Sequence, residues 1–131
     1  MKNIHLQGDI IPAIIDEIPI LSILATQSDG EFLVRNASEL RVKESDRIHF
    51  ICLNLRNLGI ELEEFKDGFA FNGPQPISGG EVRTGDDHRI AMAFAIAGLV
   101  AKNEIVLDNP DCVNVSFPGF WQVLKELREK G

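Results

Sequence analysis

Apolar residues recur along the chain with two spacings. Residues 4–6 alternate as a short strand. Ile18, Leu21, Ile23, Leu24 and Ala25 then make a wide apolar face, which predicts a helix over 16–27. With Asp16 as its N-cap, Pro19 falls in the first turn, where a missing N–H breaks no helical bond. Ser28-Asp29-Gly30 reads as a turn and 32–35 as a strand. Ile48, Ile51, Cys52, Leu55 and Leu58 at spacings of three and four predict a second helix over 44–58, stopped by Gly59. Residues 60–65 and 69–71 around Lys66-Asp67-Gly68 form a hairpin pattern. The Gly- and Pro-rich segment 73–80 is a connector. Beyond it come a strand at 81–83 and a nearly all-apolar helix opened by Asp87 or His88 and running to about residue 101, which must be buried on most sides. A strand at 104–107 follows. A last amphipathic helix over 118–129 turns Phe120, Val123, Leu124 and Leu127 inward, with Trp121 also assigned to the core.

The order is therefore βαβαββ followed by βαβα. A shift of 73 positions lays Glu31-Phe32-Leu33-Val34-Arg35-Asn36 over Glu104-Ile105-Val106-Leu107-Asp108-Asn109. The same shift lays 21–25 over 94–98, and helix 44–58 over helix 118–129. Units of this size bury their apolar faces against neighbours. The predicted class is α+β, with one repeat over about 1–73 and a second over about 80–131. The second lacks its closing strands, so the pattern reads as a fragment or as a chain completed from elsewhere.

Charge narrows the partners. The chain has 13 Lys and Arg against 20 Asp and Glu, a formal charge of −7. A nucleic-acid partner would need a basic face, so none is expected. A small anion is still admissible, because local charge can oppose net charge. Cys52 and Cys112 make neither a disulfide framework nor a zinc pattern and are read as buried, reduced thiols. The first nine residues lack the apolar core of a leader. The apolar run 90–106 is broken by Lys102, Asn103 and Glu104. No membrane span and a cytoplasmic location are therefore expected, and no His, Asp or Glu set has metal-ligand spacing.

Three charged clusters sit where helices are predicted to begin: Asp16-Glu17, Lys43-Glu44-Ser45-Asp46-Arg47 and Asp86-Asp87-His88-Arg89. Helix N-termini attract anions, and acidic residues there can simply act as caps. Arginine in a first turn opposes the helix dipole, and both Arg47 and Arg89 do so. Either they hold an anionic ligand or they form structural salt bridges. Arg41, Lys43, Arg47, Arg83 and Arg89 are expected to form a local cationic cluster suited to phosphate or carboxylate. Asp16 and Glu44 would serve proton transfer, and His88 would act as ligand contact, proton carrier or cap. His5 and His49 read as structural or surface residues.

These motifs resemble a known family. Arg41-Val42-Lys43-Glu44-Ser45-Asp46-Arg47-Ile48 is similar to a C-terminal signature of the 5-enolpyruvylshikimate-3-phosphate synthases. Gly85-Asp86-Asp87-His88-Arg89-Ile90-Ala91-Met92 resembles that family's second signature, and Asp16-Glu17-Ile18-Pro19-Ile20 its aspartate segment. Ser116-Phe117-Pro118 fits the start of the last helix. All four occur in family order from about Gly8 onward.

The resemblance implies transfer of the enolpyruvyl group of phosphoenolpyruvate to the 5-hydroxyl of shikimate 3-phosphate, without a cofactor. It implies that Asp16 contacts shikimate hydroxyls and acts as base, that Lys43 lies near the reacting oxygen, and that Glu44 donates a proton to the methylene carbon. Arg47 and Arg89 would hold the phosphoenolpyruvate carboxylate, and His88 would line the same pocket. Val113-Asn114-Val115-Ser116 carries no lysine where many members do, which resembles a divergent bacterial class. The family chain is about three times longer. The resemblance therefore implies about two of the three units of an "inside-out" α/β barrel, inactive without the N-terminal part and able to self-associate. Two alternatives stand beside it: a fragment of a UDP-N-acetylglucosamine enolpyruvyl transferase, which the Arg-x-Lys-Glu-x-Asp-Arg run disfavours, and a non-catalytic anion-binding module.

Overall fold

The computed structural model describes residues 3–43 and 45–108. Glu44, Cys112, Trp121, the Ser116-Phe117-Pro118 motif and the predicted helix 118–129 lie outside the described residues.

The described residues form six strands and four α-helices. Strand β1 (Ile4–Leu6) leads through helices α1 (Ile11–Ile14) and α2 (Ile18–Thr26) into β2 (Gly30–Val34). Helix α3 (Arg47–Asn57) precedes the hairpin β3 (Glu63–Phe65) and β4 (Gly68–Gly73). Strand β5 (Gly80–Val82), helix α4 (His88–Ala97) and β6 (Ile105–Leu107) complete the order. One sheet runs β1-β2-β4-β3 and the other pairs β5 with β6. The β1–β2 and β5–β6 pairs are both parallel, each closing a crossover that contains a helix. Main-chain N–H groups at the two shifted positions make the same bond: Arg35 donates to Leu6, and Asp108 donates to Val82.

The helices bury one continuous core against the first sheet. Ile48, Ile51, Cys52, Leu55 and Leu58 are all fully buried, as their spacing predicted. They meet Phe32, Phe69 and Phe71 of the sheet, whose rings lie 5.3 and 6.0 Å from one another across Phe32. Burial pushes the Cys52 thiol up to about 12, so it stays protonated and unreactive at neutral pH. Helix α2 packs along α4. On α2, Ser22 and Thr26 are buried despite their hydroxyls, which donate to the carbonyls of Ile18 and Ile23 within the same helix.

Several boundaries differ from the pattern. Asp16 is not an N-cap: it sits in a 3₁₀ turn over Ile15–Glu17, and α2 starts at Ile18 without a side-chain cap. Pro19 remains in the first turn. Leu24, assigned to the apolar face by the pattern, is 57% exposed, whereas Ser22 and Thr26 are buried. Helix α3 begins at Arg47, three residues later than expected, because the Asp46 carboxylate accepts the His49 N–H and sets the start. Helix α4 ends at Ala97, and Leu99 and Val100 are exposed. The short helix α1 and the 3₁₀ turns over Gly8–Ile10 and Ser38–Val42 have no counterpart in the periodicity.

Gly68 tests the packing at the hairpin. A Cβ on Gly68 would overlap the Val34 carbonyl oxygen of the neighbouring strand, a backbone atom that cannot rotate away. Gly68→Ala is expected to destabilise the chain by about 2 kcal/mol, read as a lower denaturation midpoint in urea at unchanged slope.

Candidate functional site

The turns that lead into α2, α3 and α4 converge, and their charged residues interlock. Arg47 is the first residue of α3, and its side chain is only 1% exposed. Its Nε donates to Asp87 Oδ2 at 2.8 Å and its Nη2 to Asp87 Oδ1 at 3.2 Å, a two-point grip across 40 positions of sequence. Its Nη1 reaches outward to Asp16 Oδ1 at 3.1 Å. Lys43 Nζ approaches the same Asp16 oxygen at 3.8 Å. Arg89, in the first turn of α4, donates from Nη1 to Glu17 Oε1 at 3.2 Å.

Asp87 is the hub. It is fully buried and caps α4 by accepting the Arg89 N–H at 3.0 Å. It also accepts the Ser45 hydroxyl at 2.8 Å. Burial pushes its carboxyl up, but hydrogen bonds from Arg47 and Ser45, the Arg47 charge and the Arg89 N–H outweigh burial and hold it below the ordinary carboxylate range.

Above this network lies a groove enclosing about 400 Å³ of empty space, open solvent included. Asp16, Glu17 and Arg89 line its polar end, and Pro19, Ile20 and Met92 are among its apolar walls. A fixed cation, two carboxylates and converging helix N-termini beside an apolar wall suit a small organic anion that exchanges protons. Among the described residues no group of three or more His, Cys, Asp or Glu is placed to hold a metal ion. No helix among them is long and apolar enough to cross a membrane.

Of the residues singled out in the sequence, Asp16, Lys43, Arg47 and Arg89 come together. His88 is half-buried at the first position of α4, and its ring has no hydrogen-bond partner among the described residues. Glu44 lies outside them. The five-membered cationic cluster is smaller than expected. Arg41 turns the other way, donating to Asp46, Glu64 and the carbonyls of Phe65 and Lys66, where it ties the α3 cap to the hairpin. Arg83 is exposed, makes no ion pair among the described residues, and is held by its main chain to Asn54. Arg47 itself is buried, with the carboxylates of Asp87 and Asp16 among its partners.

Asp87, Ser45 and Glu17 were not singled out as site residues. The signal was present for Asp87: a buried arginine in the first turn of a helix calls for a counter-charge, and Asp87 stands in the other cluster that carries such an arginine.

The family model described as EPSP synthase (3-phosphoshikimate 1-carboxyvinyltransferase) matches residues 1–124. Over 129 residues the chain is 50% identical to the 3-phosphoshikimate 1-carboxyvinyltransferase of Aquifex aeolicus, covering 98% of this chain and 30% of that protein. It is 45% identical to the enzyme of the same name from Thermodesulfovibrio yellowstonii, with the same coverage. A solved structure of EPSP synthase from Acinetobacter baumannii superposes with a TM-score of 0.89 at 38% identity, covering 96% of this chain and 30% of that one. The chain thus spans about 30% of the length of the curated relatives it matches.

Proposed function

This chain belongs to the EPSP synthase family, and from that premise we propose that it is the C-terminal part of an enzyme that moves the enolpyruvyl group of phosphoenolpyruvate onto the 5-hydroxyl of shikimate 3-phosphate. The observation that carries this reading is the meeting of Lys43 and Arg47 on Asp16, which with Arg89 lines one groove. Both substrates are anions, and addition across an enol needs a base at the hydroxyl and an acid at the methylene carbon. Asp16 takes the base role, 46% exposed at the rim with two cations beside it. Lys43 steadies the reacting oxygen, and Glu44 protonates the methylene. The carbon so activated is attacked by the hydroxyl oxygen, giving a tetrahedral intermediate. Return of a methyl proton to the Glu44 carboxylate and departure of phosphate then form the enol ether.

Arg89 is the first contact for the phosphoenolpyruvate carboxylate, because it already opens onto the groove. Arg47 is the second, once the carboxylate replaces Asp16 on Nη1, and His88 lines the same pocket. A cytoplasmic home belongs to this reading, supported by the free Cys52 thiol. The remaining substrate ligands come from the rest of the polypeptide, which packs on this part; the chain alone holds half a site, and its uncovered apolar residues Leu24, Leu99 and Val100 favour self-association.

The test is phosphate release. With both substrates the chain alone is expected to release none, and the full-length enzyme carrying this segment to release it. Release with a UDP-sugar acceptor in place of shikimate 3-phosphate would overturn the assignment. Within the full-length enzyme, Arg89→Ala is expected to raise the phosphoenolpyruvate dissociation constant about 10- to 100-fold, the loss of a charge-assisted hydrogen-bonding partner. Its melting temperature should barely move, since the exposed pair with Glu17 contributes little to stability. Calorimetric titration and a thermal melt read the two effects.

A further inference from the structure

Residues 83–87 lead from the end of β5 to the cap of α4, and one face of α3 grips them at three points. Asn54 is fully buried, and both halves of its carboxamide go to a single residue: Nδ2 donates to the Arg83 carbonyl oxygen at 2.8 Å, and Oδ1 accepts the Arg83 N–H at 2.8 Å. One turn nearer the helix start, the Phe50 ring lies against Gly85, where a Cβ would come within 2.6 Å of it. Gly85 is in the left-handed region with φ of +61°, which only glycine adopts freely. One turn further on, Arg47 grips Asp87. Positions 47, 50 and 54 share a helix face, and their partners run in reverse order at every second residue, 87, 85 and 83. From the other side Asp108 Oδ1 accepts both the N–H and the hydroxyl of the buried Thr84, at 2.9 and 2.8 Å.

We propose that Asn54 is a positioning residue for the anion site. It fixes the height of segment 83–87 on α3, so that Asp87 meets Arg47 and the first turn of α4 presents Arg89 to the groove. Seven residues of helix place Asn54 about 10 Å along the axis from Arg47, so it acts through the segment and touches no ligand. Packing alone does not account for it. Asparagine is a poor residue for a helix interior, and a leucine would fill that space without a polar group to satisfy. What asparagine adds is a donor and an acceptor matched to one peptide unit on a neighbouring segment. The inference rests on the function proposed above for its consequence, though not for its geometry.

The test follows hydrogen exchange at the Arg47 Nε–H by NMR in the isotopically labelled chain, with no ligand present. Asn54→Ala is compared with Leu55→Ala, a neighbour buried in the core, at equal unfolding free energy set with urea. Asn54→Ala is expected to speed Arg47 Nε–H exchange at least about tenfold relative to Leu55→Ala, since only the former loosens the segment that holds Asp87. Equal exchange in the two variants would overturn the proposal. If Asn54→Ala does not fold, Phe50→Leu removes the middle contact and is judged by the same criterion. Phosphoenolpyruvate titration of the unsubstituted chain tests the function separately, so a failed clamp and a failed assignment give different results.

Discussion

Asp87→Ala is expected to lower the stability of the chain by about 3–5 kcal/mol, the cost of leaving one partner of a buried ion pair uncompensated. The stranded group is the Arg47 guanidinium, 1% exposed, which would lose two of its hydrogen bonds while still shut away from water. The α4 cap and the Ser45 bond go with it. Asp87→Asn keeps an acceptor for the cap but not the charge, so it is expected to fall between the two. Because the folded carboxyl titrates below its ordinary value, the pair stabilises fully at neutral pH, and that stabilisation is lost as pH falls below about 4. The stability gap between the unsubstituted chain and Asp87→Asn should therefore shrink between pH 7 and pH 3. Urea unfolding across that range measures it, and a constant gap would mean that the Asp87 charge does not hold Arg47.

Glu44→Gln is expected to cut turnover of the full-length enzyme at least about 100-fold, the scale of a lost general acid, while phosphoenolpyruvate affinity changes less than about threefold. Glu44 stands in sequence between two residues of the network. Lys43 reaches Asp16, and Ser45 bonds Asp87. Glutamine keeps the length and loses the proton. Steady-state kinetics with a separate binding measurement split the two effects, and unchanged turnover would remove Glu44 from the acid role.

What the sequence made legible follows from locality. Helix α3 was readable because Ile48, Ile51, Cys52 and Leu55 lie on one stripe of a regular helix, with Leu58 at its C-cap. The hairpin was readable because Lys66-Asp67-Gly68 favours a tight turn between apolar runs. The start of α3 was not, because Ser45 and Asp46 are both favoured capping residues and only the Asp46 bond to the His49 N–H decides between them. The cationic residues of the site could be named from their helix starts. Their partners could not, because Arg47 and Asp87 lie 40 positions apart and nothing local shows that Arg41 turns to Glu64 while Arg47 turns to Asp87. Asn54 escaped notice for the same reason: its two bonds are to a main chain 29 positions away.

The central claim is that three helix starts form one anion site from Arg89, Lys43 and the exchangeable Asp16–Arg47 pair. Titrating the labelled chain with phosphoenolpyruvate, shikimate 3-phosphate and a UDP-sugar, each alone, and following amide shifts tests it most directly. The account predicts saturable shifts with the first two, centred on residues 16–18, 43–47 and 87–90, and none with the third. Shifts that gather around Arg41 and Arg83 while Arg89 and Arg47 stay silent, or no response to any of the three, would contradict it.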